Sequence, residues 1–151
     1  MGGALAYHDG ALKDALQWQL VGAAFVGACL LQIASNFAND LFDGLRGTDS
    51  GERLGPTRAV GGNLVTPRAM AAALCITLLF AVFPAWFLAS QSGIAFAIIG
   101  VCGAIAAVGY TAPPFSLAYR GLGDLFVFVF FGPIAVAGTR AACDGAWTTS
   151  A

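Results

Sequence analysis

The sequence predicts an all-α protein, a polytopic bundle of transmembrane helices. Three observations point there. The chain is 58% hydrophobic and only 10% charged, with a mean hydropathy of +0.78, whereas an ordinary soluble domain has roughly 25% charged residues. Its apolar residues gather into four long runs, each near the ~20 residues that cross ~30 Å of hydrocarbon. Its charges gather in the connections between those runs. A net charge of −1 argues against nucleic acid as a partner, since that needs a basic surface.

The first run covers about Ala15 to Phe42, and a Gly-rich polar loop over residues 44–67 follows it, holding Arg46, Asp49, Glu52, Arg53 and Arg58. The second run covers about Ala69 to Ser90. Gln91 to Gly93 make a short uncharged turn into the third, Ile94 to Tyr110. Residues 111–124 form a second polar loop with Pro113, Pro114, Tyr119, Arg120 and Asp124. The fourth run is Leu125 to Ala142, and Asp144 to Ala151 lead away from the bilayer. Pro84, Gly100, Gly103 and Pro133 fall inside the runs, which membrane helices tolerate because neighbouring helices satisfy the freed backbone groups. Gly100, Gly103, Ala104 and Ala107 give the third run a face of small residues suited to close helix contact. Cys29, Cys75, Cys102 and Cys143 have no metal-ligand spacing and are expected to be buried small apolar residues. No basic stretch followed by an apolar core opens the chain, so no secretory leader is expected.

Alternating crossings put both charged loops on one side and the short turn on the other. Arg46, Arg53, Arg58, Arg68 and Arg120 then share a side, opposite Lys13 and Arg140, out of 7 basic residues. The excess of positive charge orients that side to the cytoplasm.

The end of the first run carries the chemistry. At about 100° per residue, Asn36, Asn39, Asp40, Asp43 and Gly47 lie within roughly 100° of one another on one helix face, and Gln32 extends the stripe backwards. Leu30, Leu31, Ile33, Phe37, Leu41 and Phe42 make the other faces oily. Ionisable groups in such a helix cost about 2.5–3.5 kcal/mol at its centre and less near its end, so they mark a site. An oxygen-only set made of Asp40, Asp43 and Asp49 suits Mg²⁺, which is often held by one or two carboxylates plus substrate phosphates. His8 is the only histidine, which disfavours a histidine-based metal centre. Arg53 and Arg58 are planar, permanently charged donors suited to phosphate. Glu52, Arg46 and Arg68 read equally well as a solvated loop surface.

The pattern Asn36-x-x-Asn39-Asp40-x-x-Asp43-x-x-x-Gly47-x-Asp49 resembles the first aspartate-rich motif of the UbiA superfamily of intramembrane aromatic prenyltransferases. Arg53-Leu54-Gly55-Pro56-Thr57-Arg58 is similar to the branch acting on 1,4-dihydroxy-2-naphthoate in menaquinone biosynthesis. So is the stretch from Tyr110-Thr111 through Tyr119-Arg120-Gly121-Leu122-Gly123-Asp124 to Phe131-Gly132. The placing of the third acid at Asp49, two residues beyond Gly47, follows that branch. The resemblance implies a nine-helix fold with a second aspartate-rich motif between its sixth and seventh helices. Gly2 to Tyr7 resemble only the tail of the first helix, and residues 1–151 read as an N-terminal part of the domain, lacking its C-terminal half. On that reading the chain alone is expected to be inactive.

The resemblance implies transfer of a polyprenyl group from polyprenyl diphosphate to the naphthoate, with loss of CO₂ and diphosphate, in a bacterial plasma membrane. Asn36, Asp40 and Asp43 take the catalytic part, and Asp40, Asp43 and Asp49 hold Mg²⁺. Asn36, Asn39, Arg53, Arg58, Tyr119, Arg120 and Asp124 contact substrate. For Asp124, capping of a helix N-terminus stands beside acceptor binding. Phe126, Phe128, Phe130 and Phe131 either line a dry pocket for the allylic cation or face lipid and pack. Two alternatives stay open. One is another aromatic acceptor such as 4-hydroxybenzoate, and the other is a non-catalytic membrane subunit or a transporter with a carboxylate cation path. A transporter calls for acids near the bilayer midplane, whereas these acids lie at one edge. A CDP-alcohol transferase motif matches at Asp43-Gly44 and fails from Gly47 onwards.

Overall fold

Asp14 starts the helix on which the molecule is organised. Its carboxylate accepts from the Gln17 N–H at 3.2 Å, and the Gln17 side chain accepts from the Asp14 N–H at 3.2 Å, satisfying two of the donors a helix start leaves open. A computed structural model describes residues 1–8, 10, 12–47, 58–114, 116, 125 and 128–144. Among these there is no strand. Helix α1 is Gly2–His8, and α2 runs over Ala15–Arg46, 32 residues, which is about 48 Å. It stops at Gly47, whose φ of 69° places it in the left-handed region that a glycine enters without steric cost. Thr66 caps α3, Pro67–Ser92, by accepting from the Ala69 N–H at 3.3 Å, with Pro67 in the first turn. Helix α4 is Ala95–Gly109, a π-helical turn covers Phe130–Ile134, and α5 is Ala135–Asp144.

Long α2 and α3 lie side by side, α4 packs on both, and α1 packs on α5. The close approaches run through glycine, as the small-residue face of the third run predicts. A Cβ on Gly100 would sit 3.0 Å from the Ala85 Cβ, and one on Gly103 would sit 2.9 Å from the Leu31 Cδ1. At the α1–α5 crossing a Cβ on Gly2 would meet the Val136 carbonyl oxygen at 2.5 Å. Lipid is as apolar as leucine, so such van der Waals fit, rather than escape from solvent, holds membrane helices together. Two small cores result. One, built from Ala34, Ala38, Leu41, Val60, Met70 and Leu74, lies under the C-terminal end of α2. The other, Leu20, Phe96, Ala141 and Ala142, lies at the opposite end, where the Ser92 hydroxyl donates to the Ala142 carbonyl at 3.1 Å.

The outer surface is greasy. Within the most apolar 18-residue stretches of α2 and α3 only 11% and 22% of residues are buried, the reverse of a core helix in a soluble protein. Phe25, Phe83, Trp86 and Ile105 all point outward, so α2 and α3 are built for a lipid surrounding.

Three details depart from the sequence expectation. Cys29, Cys75 and Cys102 are exposed on the apolar surface, and only Cys143 is buried. They are small apolar residues facing lipid rather than core. Helix α4 has 15 residues, fewer than the ~20 a full crossing usually takes. The fourth run is not one helix, because Gly132 leaves the helical region (φ −96°, ψ −105°) just before Pro133, which lacks a donor. Phe128 is 67% exposed, which fits the lipid-facing reading of these phenylalanines.

Candidate functional site

The polar stripe ends up where the described parts of both polar loops, residues 58–66 and residues 111–114 and 116, meet α2. Asp40 is held from outside its own helix. Its Oδ2 accepts from the Ala59 N–H at 3.1 Å and its Oδ1 from the Val60 N–H at 3.0 Å. Those two amides open a single helical turn that closes on itself. The Gly62 N–H donates to the Arg58 carbonyl, the Asn63 N–H to Val60 and the Leu64 N–H to Ala59, with Asn63 at φ 56°. This is the pattern of a helix end capped by a left-handed residue, and Asp40 supplies the acceptors that its first donors lack. Gly44 lets the turn seat. A Cβ there would lie 2.6 Å from the Val60 Cγ1 and 3.2 Å from the Gly61 nitrogen, so Val60 drops into the core beneath.

Arg58 enters the site from the same turn. Its Nη1 lies 3.1 Å from the Asp43 Oδ2, with 12% of the Asp43 side chain and 25% of the Arg58 side chain exposed. A largely buried carboxylate without that guanidinium would bear a heavy desolvation cost.

The second loop arrives from the other side. The Thr111 hydroxyl, on a residue only 2% exposed, donates to the Asn39 Oδ1. The Arg46 Nη2 donates to the Ser116 Oγ at 2.6 Å, and the Ser116 hydroxyl donates to the Thr111 carbonyl at 3.3 Å. Asn36 and Gln32 remain exposed on the same stripe. Beside Thr111 an open-sided apolar groove of about 370 Å³ is lined by Ala104, Ile105, Val108, Gly109, Ala112 and Pro113.

Of the residues selected from sequence, Asn39, Asp40, Asp43 and Arg58 come together, with Asn36 one turn away along α2. Asp49, Arg53, Tyr119, Arg120 and Asp124 lie outside the described residues, as do Glu52 and Phe126. No cluster of three or more metal-ligating side chains occurs among the described residues. The chemistry of the donor set nonetheless fits a hard divalent cation. Asp40 and Asp43 are all-oxygen ligands one helical turn apart, and a carboxylate has about four acceptor positions, of which the two backbone donors take two at Asp40.

Thr111 and Ser116 were not identified as site residues from sequence. They are uncharged and lie 72 and 70 positions beyond their partners. The available signals were that both lie in the stretch starting at Tyr110-Thr111 that carries the family resemblance, and that this loop shares a side with the polar stripe.

Against known proteins, residues 3–151 match the UbiA prenyltransferase family. The chain is 41% identical over 132 residues to the 1,4-dihydroxy-2-naphthoate octaprenyltransferase of Mycobacterium tuberculosis, covering 85% of this chain and 44% of that protein. It is 37% identical over 122 residues to the Escherichia coli protein of the same name, covering 77% and 40%. Over 146 residues it is 31% identical to the UbiA prenyltransferase domain-containing protein 1 of Dictyostelium discoideum, covering 90% and 42%. The chain thus spans less than half the length of these relatives, and no solved structure matches it significantly. With the helical architecture, the stripe of amides and acids at the end of α2 and a match over nearly every residue, this chain belongs to the UbiA prenyltransferase family.

Proposed function

We propose that the protein containing this chain transfers a polyprenyl group from polyprenyl diphosphate to 1,4-dihydroxy-2-naphthoate, a step of menaquinone biosynthesis. The single observation that carries the reading is the meeting of Asp40, Asp43, Arg58 and Asn39 at one end of α2. The relatives that share this stretch are named for that acceptor, which favours naphthoate over 4-hydroxybenzoate. Edge placement argues against a transporter. From Ala15 to Asp40 the helix rises about 38 Å, beyond a ~30 Å hydrocarbon core.

In this reading Asp40, Asp43 and Asp49 hold Mg²⁺. Held there, such an ion would supply positive charge opposite the diphosphate leaving group. Arg58 is placed to share its fork of donors between Asp43 and a phosphate oxygen, since one guanidinium carries five N–H groups. Arg53 adds a second such contact. Asn36 and Asn39 offer neutral amide donors along the same face, where an oxygen of the diphosphate or of the acceptor can accept. Tyr119, Arg120 and Asp124 are assigned to the acceptor. The apolar groove beside Thr111 accommodates isoprenoid methylenes with no polar group to desolvate. The acceptor carbon attacks the allylic carbon, forming a C–C bond while diphosphate departs with the C–O electron pair. Loss of CO₂ from that same ring carbon, with the electrons of its bond to the carboxylate returning to the ring, then restores aromaticity. The cytoplasmic orientation given by the arginines puts the diphosphate end on the side where soluble phosphates and Mg²⁺ occur.

The test is diphosphate release from a polyprenyl diphosphate in membranes containing the whole protein, with and without dihydroxynaphthoate. Release that requires the acceptor, and that falls at least about hundredfold in Asp43→Asn, is the expected result. Release independent of acceptor, or undiminished in Asp43→Asn, overturns the assignment.

A further inference from the structure

We propose that Thr111 is a positioning residue that fixes the Asn39 carboxamide for anion recognition, an inference that rests on the function proposed above. Thr111 is 2% exposed and its hydroxyl donates to the Asn39 Oδ1. An amide has one acceptor oxygen and one donor nitrogen set 120° apart on a planar carbon. With its oxygen turned to Thr111, the NH₂ group is turned away from the second loop. Without the hydroxyl the amide can rotate, and half of its orientations present a repelling oxygen to an anionic ligand. The threonine is itself held in place. Its backbone carbonyl accepts from the Ser116 hydroxyl at 3.3 Å, Ser116 accepts from the Arg46 Nη2 at 2.6 Å, and the Thr111 N–H donates to the Val108 carbonyl at 3.3 Å. Arg46, Ser116, Thr111 and Asn39 thus form one chain of contacts that starts and ends on α2. The second loop sets the donor direction of a residue on the first aspartate-rich stripe.

The experiment is a double-mutant cycle on the whole protein in membranes, with Thr111→Val, Thr111→Ser, Asn39→Ala and the Thr111→Val/Asn39→Ala pair. The probe is geranyl thiolodiphosphate with Mg²⁺, read as a dissociation constant, and thermal midpoints are recorded alongside. Loss of one oriented hydrogen bond predicts about tenfold weaker binding in Thr111→Val and binding within about threefold of the parent in Thr111→Ser. In the Asn39→Ala background the valine should add nothing further, because the amide it orients is gone. If Thr111→Val does not accumulate, Thr111→Cys keeps the size and supplies the weak donor for the same comparison. Equal weakening by the valine in both backgrounds overturns the proposal, as does unchanged binding in Thr111→Val. A parent protein that does not bind the probe removes the prenyl-diphosphate reading itself, and the role of Thr111 with it.

Discussion

At the scale of single residues, Asp40 and Asp43 differ although they share a helix face. Asp40 faces backbone, accepting from the Ala59 and Val60 amides with one lone pair on each oxygen. Asp43 faces a side chain, Arg58. Asp40→Asn keeps one acceptor but turns an NH₂ toward a backbone N–H, so at least one buried donor loses its partner at a cost of about 1–3 kcal/mol. Faster amide hydrogen exchange at residues 59 and 60 is the expected sign. Exchange as slow as in the parent would show that the carboxylate does not hold the turn. Arg58→Ala removes the partner of a mostly buried carboxylate, and a loss of about 1–3 kcal/mol is expected from denaturation in mild detergent. Arg58→Lys keeps the charge but not the fork, and should restore stability better than phosphate affinity.

At the scale of elements, the glycine contacts make the turn over residues 58–64 part of the bundle. Gly44→Ala forces a methyl to within 2.6 Å of the Val60 Cγ1 and should cost about 1–3 kcal/mol. Val60→Ala opens space against that methyl, so the double variant is expected to regain part of the loss. Additive losses would place the clash elsewhere. This is also where the legibility of the sequence divides. The run of Asn36, Asn39, Asp40 and Asp43 could be read directly, because a helix repeats every 3.6 residues and no distant partner decides which face they share. The starts of α2 and α3 are likewise set by near neighbours in the chain, Asp14 with Gln17 and Thr66 with Pro67. What could not be read was the other half of each contact. Asp40 meets amides 19 and 20 positions away, and Asn39 meets Thr111 at a distance of 72 positions. An apolar run does not say whether its cysteines are buried, because a membrane helix exposes most of its apolar surface, and Cys29, Cys75 and Cys102 lie outward. The break at Gly132–Pro133 was visible as residue types, but which of several tolerated Gly and Pro positions interrupts a helix depends on packing.

At the scale of the whole molecule, the arrangement has a direction. Arg46, Arg58 and both loop contacts lie at one end of α2, and Asp14, Ser92 and Cys143 at the other. A single-cysteine scan checks the orientation. Leu64→Cys, on a residue 73% exposed, should react with a membrane-impermeant maleimide only from the cytoplasmic side, and Gln91→Cys only from the opposite side. Reaction of both from one side would break the alternation of crossings. Native Cys29, Cys75 and Cys102 should stay unreactive toward the same reagent, because their exposure is to lipid.

The two clasps between α2 and the second loop join positions 70 and 72 apart in the chain. During synthesis the first of these helices is therefore committed to the bilayer before Thr111 and Ser116 have left the ribosome. Insertion and assembly of the polar centre are separate events, as expected when spans enter individually and pack afterwards. A nascent chain arrested just short of residue 111 should hold α2 in the bilayer with Asn39 and Arg46 still without their partners from the second loop, and those contacts form only once Thr111 and Ser116 are made and clear of the ribosome.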